Sequence, residues 1–107
     1  MHTNIFSAFE NICRQLPLDG EVLEVGATPT TDTLLNLPCI QDKLRIGINL
    51  APAAKFNGFE IVSGNANDMS QFVDGRFGLV LCNSTLEHDP NFWLTLREMR
   101  RVLKVGG

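Results

Sequence analysis

A carboxylate inside an apolar run is costly to bury unless something pairs with it, and Glu24 in GEVLEVGATPTTD, Gly20 to Asp32, is such a carboxylate. Two residues on, Gly26 stands where the chain must leave an extended run and turn. Two readings of Glu24 stay open: an acceptor at the mouth of a ligand site, or a strand-end carboxylate bonded to nearby backbone N–H groups. A second group lies in NSTLEHDP, Asn83 to Pro90, where His88 is the candidate base toward an oxygen or nitrogen nucleophile. His88 and Glu87 also read as structural or solvated loop residues, and Asp89 reads as the cap of a following helix. Cys13, Cys39 and Cys82 are odd in number and widely spaced, without a CxxC pair, so neither a disulfide framework nor a metal site is expected.

These groups need elements to hold them. From Asn4 to Leu16, Ile5, Phe6, Phe9, Ile12, Cys13 and Leu16 recur at three- and four-residue spacings, predicting a helix with one apolar face that Pro17 ends. Val22 to Val25 reads as a short buried strand. Thr31 to Leu37 reads as a short helix stopped by Pro38, with Thr30 or Thr31 as N-cap, and Leu44 to Leu50 as a second strand. Ala51 to Asn57 is too short and proline-interrupted for a crossover helix and reads as a loop or single turn. Phe59 to Val62 is a third strand, Asn67 to Phe72 a brief helix, and FGLVLC, Phe77 to Cys82, the clearest strand. The last helix is expected to begin with Asp89 as N-cap and Pro90 at its first position, and to run to about Val105 with Phe92, Leu96, Met99 and Leu103 as its stripe. Trp93 and the cluster Arg97, Arg100, Arg101 and Lys104 read as packing and solvated helix surface.

Continuous rather than alternating apolar strands, interleaved with helices, imply an α/β fold: a mostly parallel sheet covered on both faces, in three layers. At 107 residues the chain is one domain, 1–107, with an ordinary balance of 44% hydrophobic and 20% charged residues that argues against disorder. A net charge of −3 gives no footprint for nucleic acid or an anionic membrane, so a small or uncharged partner is expected. No signal peptide or membrane-length apolar run is seen, and a cytoplasmic location is expected. In parallel sheets ligands bind beyond the carboxyl ends of the strands, which selects the loops Gly26 to Thr30, Asn49 to Ala51, Gly64 to Asp68 and Asn83 to Asp89.

Val22-Leu23-Glu24-Val25-Gly26 resembles the first motif of the class I S-adenosylmethionine-dependent methyltransferases, particularly the small-molecule type. The resemblance continues through Ile46-Gly47-Ile48-Asn49, through Gly64-Asn65-Ala66, and through FGLVLCNSTLEHDPNFWLTLREMRRVLKVGG. It implies a Rossmann-like sheet of seven strands in the order 3-2-1-4-5-7-6, of which this chain would hold strands 1 to 4. It also implies S-adenosylmethionine as cofactor and a small-molecule methyl acceptor. By position, Glu24, Gly26, Ala27 and Thr28 would hold the methionine end, while Asn49, with Leu50 beside it, would face the ribose. Asn65, Ala66 and Asn67 would line the adenine pocket, and Asn83 and Ser84 would sit near the sulfonium. Methyl transfer is an in-line displacement that needs positioning more than a strong protein nucleophile, so no triad or metal is required.

The sequence departs from that pattern. Thr28 and Thr30 replace two glycines, Pro29 fixes the backbone between them, and Asn49 replaces a carboxylate, a change worth roughly 1–2 kcal/mol of ligand contact. A catalytically inactive binding or assembly module is therefore the alternative reading. A nicotinamide-dinucleotide oxidoreductase fits less well, because the GxGxxG spacing is absent. FGLVLC would be left as an apolar sheet edge, so the chain is expected to be part of a longer protein or to pair through that edge as a homo-oligomer.

Overall fold

Both faces of the first strand are apolar because both are covered. In the computed structural model, which describes residues 3–16, 19–27, 33–50, 53–56, 58–82, 89–105 and 107, Val22 packs into one core while Leu23 and Val25 pack into another. The elements are α1 (Thr3–Arg14), β1 (Glu21–Val25), β2 (Arg45–Asn49), β3 (Ala54–Phe56), β4 (Phe59–Ser63), β5 (Phe77–Cys82) and α2 (Phe92–Val102). Two 3-10 turns, Leu34–Asn36 and Pro38–Ile40, lie between β1 and β2.

The sheet runs β3-β4-β2-β1-β5. Pairings β1–β2, β1–β5 and β2–β4 are parallel, and β3–β4 is antiparallel. Without β3, this is the order 3-2-1-4 that the family resemblance implied. The fold is thus a three-layer, mostly parallel α/β sandwich. On one face Phe6, Phe9 and Cys13 of α1 join Leu34, Leu35, Leu37 and Ile40 over Val22 and Ile61. On the other, Met69 and Phe72 from the stretch after β4, with Met99 and Val102 of α2, cover Leu23, Val25, Ile48 and Phe77.

Several elements differ from their sequence reading. The expected loop 51–57 contains β3, whose hydrogen bonds come from pairing with β4 after Gly58 turns the chain at φ +83°. The expected helix 31–37 is, among its described residues, a 3-10 turn capped by Thr33, whose hydroxyl accepts the Leu35 N–H. Pro38 begins a second such turn instead of stopping the first element. Residues 67–72 make turns, not a helix. In α1 the face narrows to Phe6, Phe9 and Cys13, leaving Ile5, Ile12 and Leu16 exposed. In α2 the buried positions are Thr95 and Val102, so Phe92, Trp93 and Leu96 face outward. Asp89 is not its N-cap; the helix starts at Phe92 after Asn91.

β5 closes one side of the sheet, and its outer side meets the chain again at one end. Leu103 forms a single parallel bridge to Phe77, and the Lys104 N–H donates to the Phe77 carbonyl at 2.8 Å. Leu79, Val80 and Cys82 are half-buried. No described helix is long and apolar enough to cross a membrane.

Candidate functional site

The carboxyl ends of β1, β2 and β4 open onto a cavity of about 470 Å³. Gly26 follows β1, Ile48 to Leu50 end β2, Gly64 to Asn67 follow β4, and Asp89 with Pro90 lead into α2; together they form its walls. The loops picked out by the carboxyl-end rule supply most of this lining.

The β1 wall is built tightly. Gly26 sits at φ +82°, a conformation that side chains resist, and its N–H donates to the Ile48 carbonyl at 2.8 Å. Ala27 is fully buried, its methyl set against Gly47, where any Cβ would collide with it. Asn49 Nδ2 donates to the Ala27 carbonyl at 2.7 Å, and the Asn49 carbonyl accepts the Gly64 N–H at 2.9 Å. One residue therefore joins the turns after β1 and β4.

Glu24 lies behind this wall. It is buried on the face of β1 turned toward the 3-10 turns, accepting from the Thr33 hydroxyl and the Leu34 and Leu35 N–H groups. Burial pushes its carboxyl above the usual range, against the lowering effect of those donors.

The opposite wall is a polar clip. Asn67 Nδ2 lies 3.0 Å from Asp89 Oδ2 and 2.7 Å from Thr95 Oγ1, and the Thr95 hydroxyl donates to Asp89 Oδ2 at 2.6 Å. Asp89 Oδ1 accepts the Asn91 N–H at 2.9 Å. The Thr95 hydroxyl, first among these donors, holds the Asp89 carboxyl below its ordinary range. Asp89 is thus ionised and engaged, poorly suited to take a proton. Glu98 accepts the Met69 N–H at 2.7 Å, and Arg101 donates to the Met69 and Phe72 carbonyls, fastening the same stretch to α2.

Of the residues assigned to a ligand by resemblance, Gly26, Asn49, Leu50, Asn65, Ala66 and Asn67 line this cavity. Glu24 and Ala27 stand behind it as supports. Thr28, Asn83, Ser84 and His88 lie outside the described residues. Ile48, Gly64, Asp89 and Pro90 line the cavity without having been singled out as ligand residues. Asp89 and Pro90 carried a signal, but it read as helix capping. The Asn67–Asp89–Thr95 clip spans 28 residues and leaves no local pattern.

Neutral amides, apolar side chains and glycine backbone dominate the cavity, with one carboxylate already committed. Such a lining can bind and orient an uncharged, flat, hydroxyl-bearing group. Among the described residues no group of three or more His, Cys, Asp or Glu is arranged to hold a metal. Cys13 and Cys39 sit together under α1, where burial raises both thiols, Cys39 to about 12, leaving them unreactive.

The family model described as "Methyltransferase domain" matches residues 41–107, beginning past the first turn. The demethylmenaquinone methyltransferase of Listeria welshimeri is 34% identical over 67 residues, which are 63% of this chain and 28% of that protein. Its counterpart in Bacillus cereus is 28% identical over 89 residues, 83% of this chain and 37% of that protein. The chain thus spans well under half the length of these curated relatives. A methyltransferase chain from a complex with the Haloferax volcanii Trm112 methyltransferase activator shares the fold, at TM-score 0.65 and 16% identity over 95% of this chain and 53% of that one.

Proposed function

This chain belongs to the class I S-adenosylmethionine-dependent methyltransferase family, and we propose that its cleft binds S-adenosylmethionine for transfer of the methyl group to a small-molecule acceptor. The observation that carries the reading is the convergence of Gly26, Asn49, Leu50 and Asn65 to Asn67 on one cavity at the carboxyl ends of β1, β2 and β4. The lining fits such a cofactor. About 470 Å³ is within the range of small-molecule sites, Ile48, Leu50 and Pro90 offer apolar surface for a purine, and the asparagines offer neutral hydrogen-bonding groups for hydroxyls.

When bound, the cofactor supplies an electrophilic methyl group on a sulfonium. The chain's part is to hold and orient. The Gly26 backbone permits close approach, the Asn67–Asp89–Thr95 clip fixes the far wall, and Asp89 sets one negative charge at the rim. His88 is carried as the candidate base for an acceptor hydroxyl or amine. The two relatives described above are demethylmenaquinone methyltransferases, which supports a quinone-like aromatic acceptor here.

A second reading has a specific observation behind it. Asn49, at the expected ribose position, directs its amide to Ala27, which favours a methyltransferase-like binding module with weak or no catalysis. Calorimetric titration with S-adenosylhomocysteine tests the cofactor reading, and absence of binding overturns it. Methyl transfer to demethylated quinone analogues separates enzyme from module: binding without transfer to any acceptor supports the module.

A further inference from the structure

We infer that Asn49 is the positioning residue of the first turn: its side-chain amide holds the Ala27 carbonyl and thereby fixes one wall of the cleft, so that a carboxylate here would loosen the turn instead of improving the site. The inference goes beyond the proposed function by giving Asn49 a task independent of any ligand. Only its affinity readout rests on the cofactor reading.

Three contacts tie the turn after β1 to β2. The Gly26 N–H meets the Ile48 carbonyl at 2.8 Å, the Ala27 methyl fills the notch over Gly47, and Asn49 Nδ2 donates to the Ala27 carbonyl at 2.7 Å. The first two place the turn, while the third takes up a carbonyl that belongs to a fully buried residue. A buried carbonyl without a donor is costly. Of the two isosteric side chains, only asparagine carries an N–H; ionised aspartate is acceptor-only and would set its negative oxygen against the carbonyl. The neutral amide that weakens the resemblance at this position is therefore the group this turn uses.

The chemistry provides its own rescue. A protonated carboxyl carries one O–H donor, so Asn49→Asp should regain the contact in acid. Among the described residues, Glu24 and Asp89 are the titratable side chains around Asn49, one in the carboxyl half of β1 and the other in the cavity lining. Glu24 of β1 pairs in register with Gly47, two residues before Asn49, with its carboxylate bonded to Thr33; Asp89, before α2, lines the same cavity. The β4 register partner, Ser63, does not titrate in this range. Glu24 and Asp89 are present unchanged in the wild-type chain, which serves as the control.

The test compares wild type, Asn49→Asp and Asn49→Leu by amide hydrogen exchange at Gly26 and Ala27 and by calorimetry with S-adenosylhomocysteine. At pH 7.5 both variants should exchange faster and bind about tenfold more weakly, as expected for one lost hydrogen bond. At pH 4, near the ordinary aspartate value of about 3.9, Asn49→Asp should recover part of the way toward wild type while Asn49→Leu stays impaired. Wild-type exchange and equal or tighter binding in Asn49→Asp at pH 7.5 would overturn the inference. Absence of binding by the wild type would instead overturn the cofactor reading, leaving the exchange comparison to decide the role of Asn49.

Discussion

At the carboxyl ends of the strands the cavity is lined by amides, glycines and apolar side chains, whereas the amino ends carry a second cavity of about 580 Å³ flanked by Glu21, Arg45, Lys55, Glu60 and Arg76. Charge density alone would select the second. Three of its charged groups, however, already have structural tasks. Arg76 forks onto Glu21 and lies over the Phe72 and Phe77 rings, while Arg45 donates to the Leu35 carbonyl at 2.6 Å and covers Phe59. The carboxyl end instead turns the half-buried, side-chain-free backbone of Gly26 and Gly64 toward the cavity, where a ligand can approach. Charge at the amino end fastens the sheet, and neutrality at the carboxyl end leaves room for binding.

The largest effects that test this contrast come from a glycine near the amino end and one in mid-β2 packed under the turn after β1. A Cβ on Gly78, in β5 near the amino end, would fall onto the Asp19 carbonyl oxygen, a backbone atom that cannot step aside. Gly78→Ala should cost about 3 kcal/mol or more, read as a lower urea midpoint, a large part of the ~5–15 kcal/mol of a typical domain. Any folded fraction should bind ligand normally. Gly47→Ala presses on the Ala27 methyl and should both destabilise and weaken cofactor binding. Equal loss of affinity in the two variants would erase the distinction between the ends.

Glu24 comes next. Glu24→Ala strands the Thr33 hydroxyl and two backbone N–H groups and should cost about 2 kcal/mol or more. The pH dependence carries a definite sign. Because burial raises the folded carboxyl above its unfolded value, the folded state binds the proton more tightly. Stability from this group is full below the unfolded pKa and is lost as pH rises through the folded one. Glu24→Gln should remove that decline, measurable by urea melts from pH 4 upward. A wild-type curve parallel to that of Glu24→Gln would show that Glu24 does not titrate abnormally.

Arg101 tests the far wall. Its guanidinium donates to the Met69 and Phe72 carbonyls and pairs with Glu98 and Asp74, partly in solvent. Arg101→Ala should cost about 1–2 kcal/mol and loosen the stretch that carries Asn65 to Asn67, lowering cofactor affinity by a smaller factor than Asn49→Asp. Arg101→Lys, which cannot reach both carbonyls in a fork, should recover only part of the loss.

What the sequence reveals of this molecule follows from how local each determinant is. β1, β2, β4 and β5 were legible because a strand buried on both faces must be apolar at nearly every position, as FGLVLC is. β3 was not, because Ala54–Phe56 is three residues whose pairing exists only once β4 is in place. The helix faces are less legible: Thr95, polar in sequence, is buried in α2 along with Val102, because Asp89 and Asn67 bind its hydroxyl. In the site, the lining loops were readable from topology. The supporting bonds from Asn49 to Ala27 and from Asn67 to Thr95 were not, since they join residues 22 and 28 apart.

The smallest effect separates charge from stacking at the amino end. Arg76 and Glu21 are each about a third exposed, so their ion pair at 3.1 Å should contribute under about 1 kcal/mol and fade in salt. The guanidinium also lies 5.4 Å from the Phe72 centroid and 5.1 Å from that of Phe77. Arg76→Lys keeps the charge but loses the planar fork and its stacking on the rings, whereas Glu21→Gln removes the pair and keeps the stack. If stacking is the main fastener, Arg76→Lys should lower the urea midpoint more than Glu21→Gln, and the difference should persist at high salt. Neither should change S-adenosylhomocysteine affinity. A tenfold affinity change in either variant would mean that the amino-end charges reach the cleft, and the division of labour between the two ends would fail.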